Sequence, residues 1–310
     1  MASIRSFIIR QISKQYMKNV NPYRSVHDLR RGFEMRAGAL PPARGVTVRK
    51  ENIDGINCDL HVPAGCEDAP LIYYLHGGAY MMGSPSTHRR LVSFIARAAG
   101  MRAILPEYRL APENRFPAAL EDSLRVWRAL LRGGASPQDI AIGGDSAGGN
   151  LTMATLLSLR DAGEPLPAAC FLMSPWLDLA GDGESHSTRS KFDPWFKSEY
   201  LPVVVSRFCD EEQIRYPLVS PVMADASELP PILIQVGDHE ILLSDSTRLA
   251  DNIKAAGGRV DLHIWPNMWH LFQFFVGQMP ESRKAVEDIA RFLRSEFGID
   301  RGVLRKGRAA

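Results

Sequence analysis

One short stretch, residues 140–150, constrains the fold of this chain more than any other, because an apolar run ends there in glycines around a serine. The spacing Gly144-x-Ser146-x-Gly148 is typical of a nucleophile elbow, where a strand turns sharply into a helix and glycines avoid Cβ clashes. It also fits an ordinary turn with a serine N-cap. The elbow interpretation predicts an exposed Ser146, with the Ala147 amide at the helix N-terminus able to donate to an oxyanion.

Around this stretch, strand-like and helix-like patterns alternate. A hairpin is predicted for Val46–Ile53 and Ile56–Val62 around Asp54-Gly55, and a buried parallel strand for Leu71–Leu75. Further strands are predicted near residues 102–105, 140–142, 168–173, 232–236 and 260–264, and helices near 87–99, 116–132, 148–162, 243–256 and 282–297. This alternation predicts an α/β fold with a mostly parallel sheet between helices.

Composition excludes several classes of protein. A chain of 310 residues with 45% hydrophobic residues can form one large α/β unit, and a net charge of +2 gives no reason to expect nucleic-acid binding. The four cysteines lack metal-ligand or disulfide spacing, which favours reduced thiols and a cytoplasmic location. No apolar run approaches the ~20 residues that span a bilayer, so stable membrane insertion is not expected. The basic tail, residues 301–310, is expected to be solvated.

Residues 1–45 are predicted to form one or two helices that end at Pro41-Pro42. The first helix has apolar residues at helical spacing among basic ones: Ile4, Phe7, Ile8 and Ile12 among Arg5, Arg10, Lys14 and Lys18. This pattern fits a helix that lies on a membrane surface. We favour a helix that packs its apolar side on its own protein, because that is the common case.

An aromatic-rich segment between Gly181 and Pro217 interrupts the alternation, and we assign a cap insertion to about residues 183–217. It could be additional core. Because ligands bind at the carboxyl ends of parallel strands, we favour a lid shared with the N-terminal helices.

A nucleophilic serine needs a histidine as base and a carboxylate that orients the histidine. After an elbow of this form, the acid comes next in the chain and the histidine follows it. His186 lies in the polar insertion, His239 adjoins the candidate acids, and His263 is inside the last predicted strand with a structural role. His270 follows that strand in a loop, so it is the predicted base.

The acid is expected just after the strand at 232–236. Asp238, Glu240 and Asp245 are all within reach, but Asp245 falls inside the next predicted helix. The position of the strand end does not distinguish Asp238 from Glu240.

A second glycine loop, His76 to Tyr80, follows the strand at 71–75, and its adjacent glycines can point backbone amides at one oxygen.

With these motifs the chain resembles the hormone-sensitive-lipase-like branch of the α/β-hydrolases, bacterial carboxylesterases with a His-Gly-Gly motif, from about residue 46 to 297. The matching motifs are His76-Gly77-Gly78-Ala79-Tyr80, Tyr108-Arg109-Leu110-Ala111-Pro112-Glu113, Phe116-Pro117-Ala118-Ala119, Gly144-Asp145-Ser146-Ala147-Gly148-Gly149-Asn150, Ser174-Pro175-Trp176 and His270. The resemblance implies an α/β-hydrolase catalytic domain at 46–300, with an eight-stranded sheet, and a helical cap from residues 1–45 and the insertion.

The resemblance also implies site residues. It places oxyanion donors at Gly77, Gly78 and Ala147, and Ala79 stands where the family usually has a third glycine. The usual acid motif, Asp-Pro-Leu-x-Asp, is replaced by Glu240-Ile241-Leu242; aligning the leucines puts Glu240 at the acid position, with Asp238 in reserve.

The predicted function is a serine carboxylesterase that hydrolyses short- to medium-chain acyl esters through an acyl-enzyme, without metal or cofactor. An amidase or lactonase would share the mechanism, and a non-catalytic receptor would share the fold but usually lack a triad member. Tyr80, Phe192, Trp195 and Trp269 are predicted to line a modest apolar pocket or to be cap core. The resemblance also suggests a homodimer through the last edge strand.

Overall fold

The computed structural model describes residues 2–17 and 23–299, so Lys18 and the basic tail at 301–310 lie outside the described part. The strands are β1 (Val46–Ile53), β2 (Ile56–Pro63), β3 (Leu71–Leu75), β4 (Arg102–Pro106), β5 (Ile140–Asp145), β6 (Ala169–Met173), β7 (Ile232–Gly237) and β8 (Val260–Trp265). The helices are α1 (Ile4–Met17), α2 (Val26–Phe33), α3 (Pro85–Ala99), α4 (Ala118–Arg132), α5 (Ala147–Asp161), α6 (Ser185–Thr188), α7 (Leu201–Phe208), α8 (Leu243–Ala255) and α9 (Pro280–Glu296).

The described strands form one eight-stranded sheet in the order β1-β2-β4-β3-β5-β6-β7-β8. The first two strands form the predicted hairpin, and β2 also pairs antiparallel with β4, whereas all other neighbours are parallel. At the hairpin turn, Asp54 and Gly55 both have positive φ, 51° and 86°, as a two-residue turn of this hand requires. The predicted α/β fold with a mostly parallel sheet is confirmed.

Helices cover the sheet on both faces, because successive residues of each buried strand point to opposite sides. On β3, Tyr73 and Leu75 belong to the core layer that includes α4, α5 and α8, whereas Ile72 and Tyr74 belong to the layer that includes α3 and α9. Strand β3 therefore consists of apolar and aromatic residues, as is typical of a parallel strand that is buried on both faces.

The carboxyl ends of β3, β5, β7 and β8 meet at one edge of the sheet, since these strands run parallel. The N-terminal helices and the insertion also reach loops near this edge. Arg30 of α2 donates to the carbonyl oxygens of Met81 and Ala111, and the Phe116 amide donates to the carbonyl of Phe208 at the end of α7.

The first helix, α1, contacts the protein through the side opposite to the one that we predicted. Its contact with the protein is made by Ser6, Ile9 and Ser13, and the Ser3 amide donates to Glu281 at 2.6 Å. The apolar stripe at positions 4, 7, 8 and 12 is exposed. The prediction of inward packing was wrong because small side chains let the helix approach α9 closely, while the larger ones face outward.

On the edge strand β8, Val260 and Leu262 pack against the core, whereas Ile264 is 45% exposed. At the edge of a sheet, a residue has a neighbouring strand on one side only, so alternation alone does not ensure burial.

No helix within residues 2–17 and 23–299 combines the length and the apolar character needed to cross a bilayer.

Candidate active site

Ser146 occupies the sharp turn between β5 and α5, with φ 52° and ψ −122°. The prediction that it is exposed was wrong, since Ser146 is only 3% exposed. Its side chain makes no capping hydrogen bond to the helix, so the N-cap interpretation does not describe it. The hydroxyl Oγ instead lies 3.1 Å from Nε2 of His270. The backbone holds this strained position, because the Ser146 amide donates to the Met173 carbonyl and its carbonyl accepts from the Trp176 amide, both at 3.0 Å.

The two glycines of the elbow are required by close approach of the backbone. A Cβ atom on Gly144 would lie 2.4 Å from the Gly148 carbonyl oxygen, and one on Gly148 would lie 2.1 Å from the Leu75 carbonyl oxygen. These two carbonyl oxygens cannot move without disturbing the first turn of α5 and the end of β3. The spacing around Ser146 is therefore a packing requirement of the turn.

His270 and Glu240 continue the chain of contacts from Ser146. His270 follows β8, and its Nδ1 lies 3.0 Å from Oε2 of Glu240, which follows β7. Both side chains are almost fully buried, at 1% and 0% exposure. An ionised carboxylate only accepts hydrogen bonds, so Nδ1 carries the proton and the Nε2 lone pair faces the Ser146 hydroxyl.

Ser174, directly after β6, contacts both Glu240 and the residue that follows His270, and the sequence reasoning gave it no role. Its hydroxyl donates to Oε1 of Glu240 at 2.9 Å and accepts from the Leu271 amide at 3.3 Å. The Gly237 amide also donates to Oε1 of Glu240. The sequence signal that could have identified Ser174 was its position in the Ser-Pro-Trp motif, directly after a predicted strand.

The reserve acid has a different place. Asp238 accepts from the Asn267 amide at 2.6 Å and so ties the loop after β7 to the loop after β8. Asp245 accepts from His186 Nε2 at 2.8 Å and from the Leu177 amide, forming a separate buried histidine–aspartate pair. The structure thus brings Glu240, and not the other two acids, to His270.

The glycine loop after β3 requires a correction, because the Gly77 amide is already engaged. It donates to Oδ1 of Asp145 at 3.0 Å and cannot also donate to a reacting oxygen. Within residues 2–17 and 23–299, the amides of Gly78 and Ala79 donate to no protein acceptor. The Ala147 amide is at the first position of α5, where a helix provides no acceptor.

Asp145 links the elbow to this loop. Its buried carboxylate accepts from the Tyr74 hydroxyl at 2.6 Å and from the Gly77 amide, and it lies 3.3 Å from His88 Nε2. Burial alone would raise the pKa of Asp145, but His88, Tyr74 and the Gly77 amide outweigh it and hold that pKa below its ordinary value. The loop is thereby fixed to the residue that precedes the serine.

The insertion brings a further carboxylate to the site. Asp193 is 2% exposed, accepts from the amides of Trp195 at 2.8 Å and Phe196 at 3.1 Å, and accepts from the Ile241 amide at 3.2 Å. Burial raises its pKa to about 6, with His270 opposing and Glu240 reinforcing the shift. Sequence reasoning missed Asp193, because its partner Ile241 belongs to another loop.

The predicted pocket residues are not all at the site. Trp195 is, since its ring centroid lies 6.4 Å from that of His270, and Phe196, which was not predicted, is closer at 4.7 Å. Phe192 stacks on His239 at the surface. Two other predicted residues are core: Tyr80 is 2% exposed and stacks on Phe208, and Trp269 is fully buried in a separate cluster with Met268 and Phe272.

Comparison with known proteins agrees with this architecture. A family model described as the alpha/beta hydrolase fold matches residues 72–274. An acetyl-hydrolase of Streptomyces hygroscopicus is 42% identical over 75% of this chain and 78% of its own length. An esterase of Acinetobacter venetianus is 37% identical over 83% of this chain and 84% of its own length.

Solved structures extend the similarity to nearly the whole chain. An esterase from the bacterial hormone-sensitive lipase family, 38% identical, superimposes with a TM-score of 0.91 over 96% of this chain and all of its own. A metagenome-derived hormone-sensitive lipase, 35% identical, gives a TM-score of 0.89 over 96% of this chain and 99% of its own. The chain therefore belongs to the α/β-hydrolase fold family and, within it, to the bacterial hormone-sensitive-lipase-like branch.

Proposed function

We propose that this chain is a serine carboxylesterase in which Ser146 is the nucleophile, His270 the base and Glu240 the acid. Hydrolysis of carboxylic esters is supported by the family and by relatives named esterase and acetyl-hydrolase. The observation that carries the assignment of residues is the unbroken contact series from Ser146 Oγ through both nitrogens of His270 to Glu240.

In the proposed reaction, Ser146 Oγ attacks the ester carbonyl carbon while Nε2 of His270 takes the hydroxyl proton. Amides of Gly78, Ala79 and Ala147 donate to the oxyanion, with Ala79 replacing the predicted Gly77. The intermediate collapses, the alcohol leaves with the proton from His270, and an acyl-Ser146 ester remains. Water then gives a proton to His270 and attacks the acyl carbon. The second intermediate collapses to the carboxylic acid, and Ser146 Oγ leaves with the proton from His270, which restores the free serine.

The test of this assignment is Ser146→Ala measured on p-nitrophenyl acetate and butyrate. We expect loss of nearly all kcat with an unchanged thermal unfolding midpoint, because the hydroxyl makes no capping bond that the fold needs. Ser187→Ala is a matched control, since Ser187 is exposed and donates only to the Glu184 carbonyl of its own turn. Full activity of Ser146→Ala would refute the proposal.

The proposed substrates are esters with short to medium acyl chains. Support comes from the edge-to-face rings of Trp195 and Phe196 at His270, which narrow the space beside the base, and from the relative named acetyl-hydrolase. We expect kcat/KM on p-nitrophenyl esters to fall beyond medium chain length in a series from about 2 to 16 carbons. A maximum at the longest chains would contradict this preference.

A further inference from the structure

The outward side of α1 is an apolar face on a helix that is already anchored by its other side. Ile4 is 80% exposed, Phe7 63%, Ile8 51% and Ile12 63%. At about 100° per residue, these four side chains lie along one stripe. Ser6 and Ser13, at 1% and 6% exposure, lie on the opposite side and contact the protein. Exposing a contiguous apolar stripe to water is unfavourable in free energy, so such a stripe marks a surface that binds a partner or a membrane.

The charges of α1 indicate what covers the stripe. Arg5 and Lys14 flank it on either side and are exposed, and the helix contains no Asp or Glu. Long basic side chains beside an apolar stripe can extend to a plane of anionic headgroups while the apolar residues enter the acyl boundary. A second copy of the same face would bring these like charges together, so the charge pattern disfavours self-association.

The face continues into the cap insertion. The Arg10 guanidinium donates to the Phe192 carbonyl at 2.6 Å, and the exposed Phe192 ring has Lys191 Nζ 4.9 Å from its centroid. Ile9, on the inner side of α1, packs with the cluster that includes Trp195. The apolar and basic surface therefore adjoins the segment whose rings cover His270.

We propose that α1 is an interfacial helix that adsorbs the protein on an anionic lipid surface, with Ile4, Phe7, Ile8 and Ile12 in the acyl boundary. The helix lies in the plane of the surface and does not cross it. Adsorption is independent of catalysis; its consequence, that lipid-borne esters reach the cap directly from the surface, rests on the proposed function.

The experiment is cosedimentation of the full chain with vesicles of phosphatidylcholine, alone or with phosphatidylglycerol. We expect binding to the anionic vesicles that weakens with salt. The double variant Phe7→Gln/Ile8→Gln should bind at least about tenfold more weakly, and Arg5→Gln/Lys14→Gln about tenfold more weakly on anionic vesicles only. The matched control Leu40→Gln/Tyr216→Gln, which changes two exposed apolar residues on other segments, should bind like the parent.

Two readouts separate this proposal from the catalytic one. Phe7→Gln/Ile8→Gln should hydrolyse p-nitrophenyl acetate normally in the absence of lipid, and Ser146→Ala should bind vesicles normally. Failure of the parent to bind anionic vesicles, or equal binding by Phe7→Gln/Ile8→Gln, would overturn the proposal. So would a solution dimer that this double variant dissociates, because the stripe would then be covered by a second copy.

Discussion

At the scale of single residues, the orientation of His270, the proposed base, depends on the carboxylate of Glu240. Glu240→Gln replaces an acceptor with a group that can donate to Nδ1 of His270, which favours the wrong tautomer. We expect kcat to fall by about 10⁴. Asp238→Asn should change kcat only severalfold, since Asp238 contacts the Asn267 amide and not His270. The two variants are compared by steady-state kinetics on one ester, and the opposite ranking would make Asp238 the acid.

Ala79 has a backbone conformation that favours glycine, with φ 56°. Ala79→Gly keeps the amide that we propose as an oxyanion donor and removes a left-handed strain of about 1 kcal/mol, partly offset by greater freedom of the unfolded chain. We expect kcat/KM within about twofold of the parent and equal or slightly higher stability in urea. Ala79→Val, with a branched side chain at a buried positive-φ position, should lose stability. A large loss of kcat in Ala79→Gly would show that the methyl group takes part in binding.

The proposed triad was easier to recognise in the sequence than the proposed oxyanion donors, although Glu240 was preferred to Asp238 only through the family resemblance. The triad candidates follow predicted strands, and the parallel sheet brings such positions to one edge. Which amide of the glycine loop is free depends on Asp145, 68 residues away in the chain, whose carboxylate occupies the Gly77 amide. Spacing within a loop carries no information about that competitor.

At the scale of elements, Asp193 fastens the insertion to the loop after β7. Its pKa of about 6 in the folded state exceeds the ordinary value of 3.8. The folded state therefore binds more protons between these pH values, and this group makes the protein less stable as pH rises from about 4 to about 6. The contribution is at most about 3 kcal/mol, from 1.36 kcal/mol per pKa unit.

Asp193→Asn should lack this pH-dependent component. We expect the stability of the parent, relative to that of the variant, to decline from pH 4 to pH 6 and then to level off, when both are unfolded in urea at several pH values. The difference between the two proteins isolates Asp193 from other titrating groups. Parallel stability curves over this range would show that folding does not raise the pKa of Asp193.

Hydrophobic periodicity predicted the elements better than their orientation. The alternation of patterns predicted the strands from β1 to β8 and the mostly parallel sheet, because buried strands and amphipathic helices each have a fixed period. The same periodicity predicted α1 as a helix but gave the wrong side as its contact with the protein. Helical periodicity indicates that one side of a helix is apolar. Tertiary contacts, such as that of Ser3 with Glu281, decide which side of the helix packs on the protein.

At the scale of the whole molecule, we predict a homodimer through β8, the last strand of the described sheet. Ile264 is exposed on this strand, and a lysine there would blunt edge pairing. Sedimentation should give twice the mass of one chain for the parent and a single chain for Ile264→Lys. Tyr216→Lys, an exposed position outside β8, serves as the control and should stay dimeric. A parent that sediments as one chain at high concentration would rule out this assembly.

All four cysteines lie inside the fold, at positions 58, 66, 170 and 209. Burial raises the pKa of Cys58 to about 12 and that of Cys209 to about 11, so little reactive thiolate forms at neutral pH. We therefore expect the thiols of the folded protein to react slowly with a maleimide or a spin label, so that its own cysteines need not be removed before labelling. A single Gln11→Cys change on the exposed side of α1 would give one attachment point for a fluorophore. The emission of that fluorophore would report the polarity around α1 without signal from labels on the native cysteines.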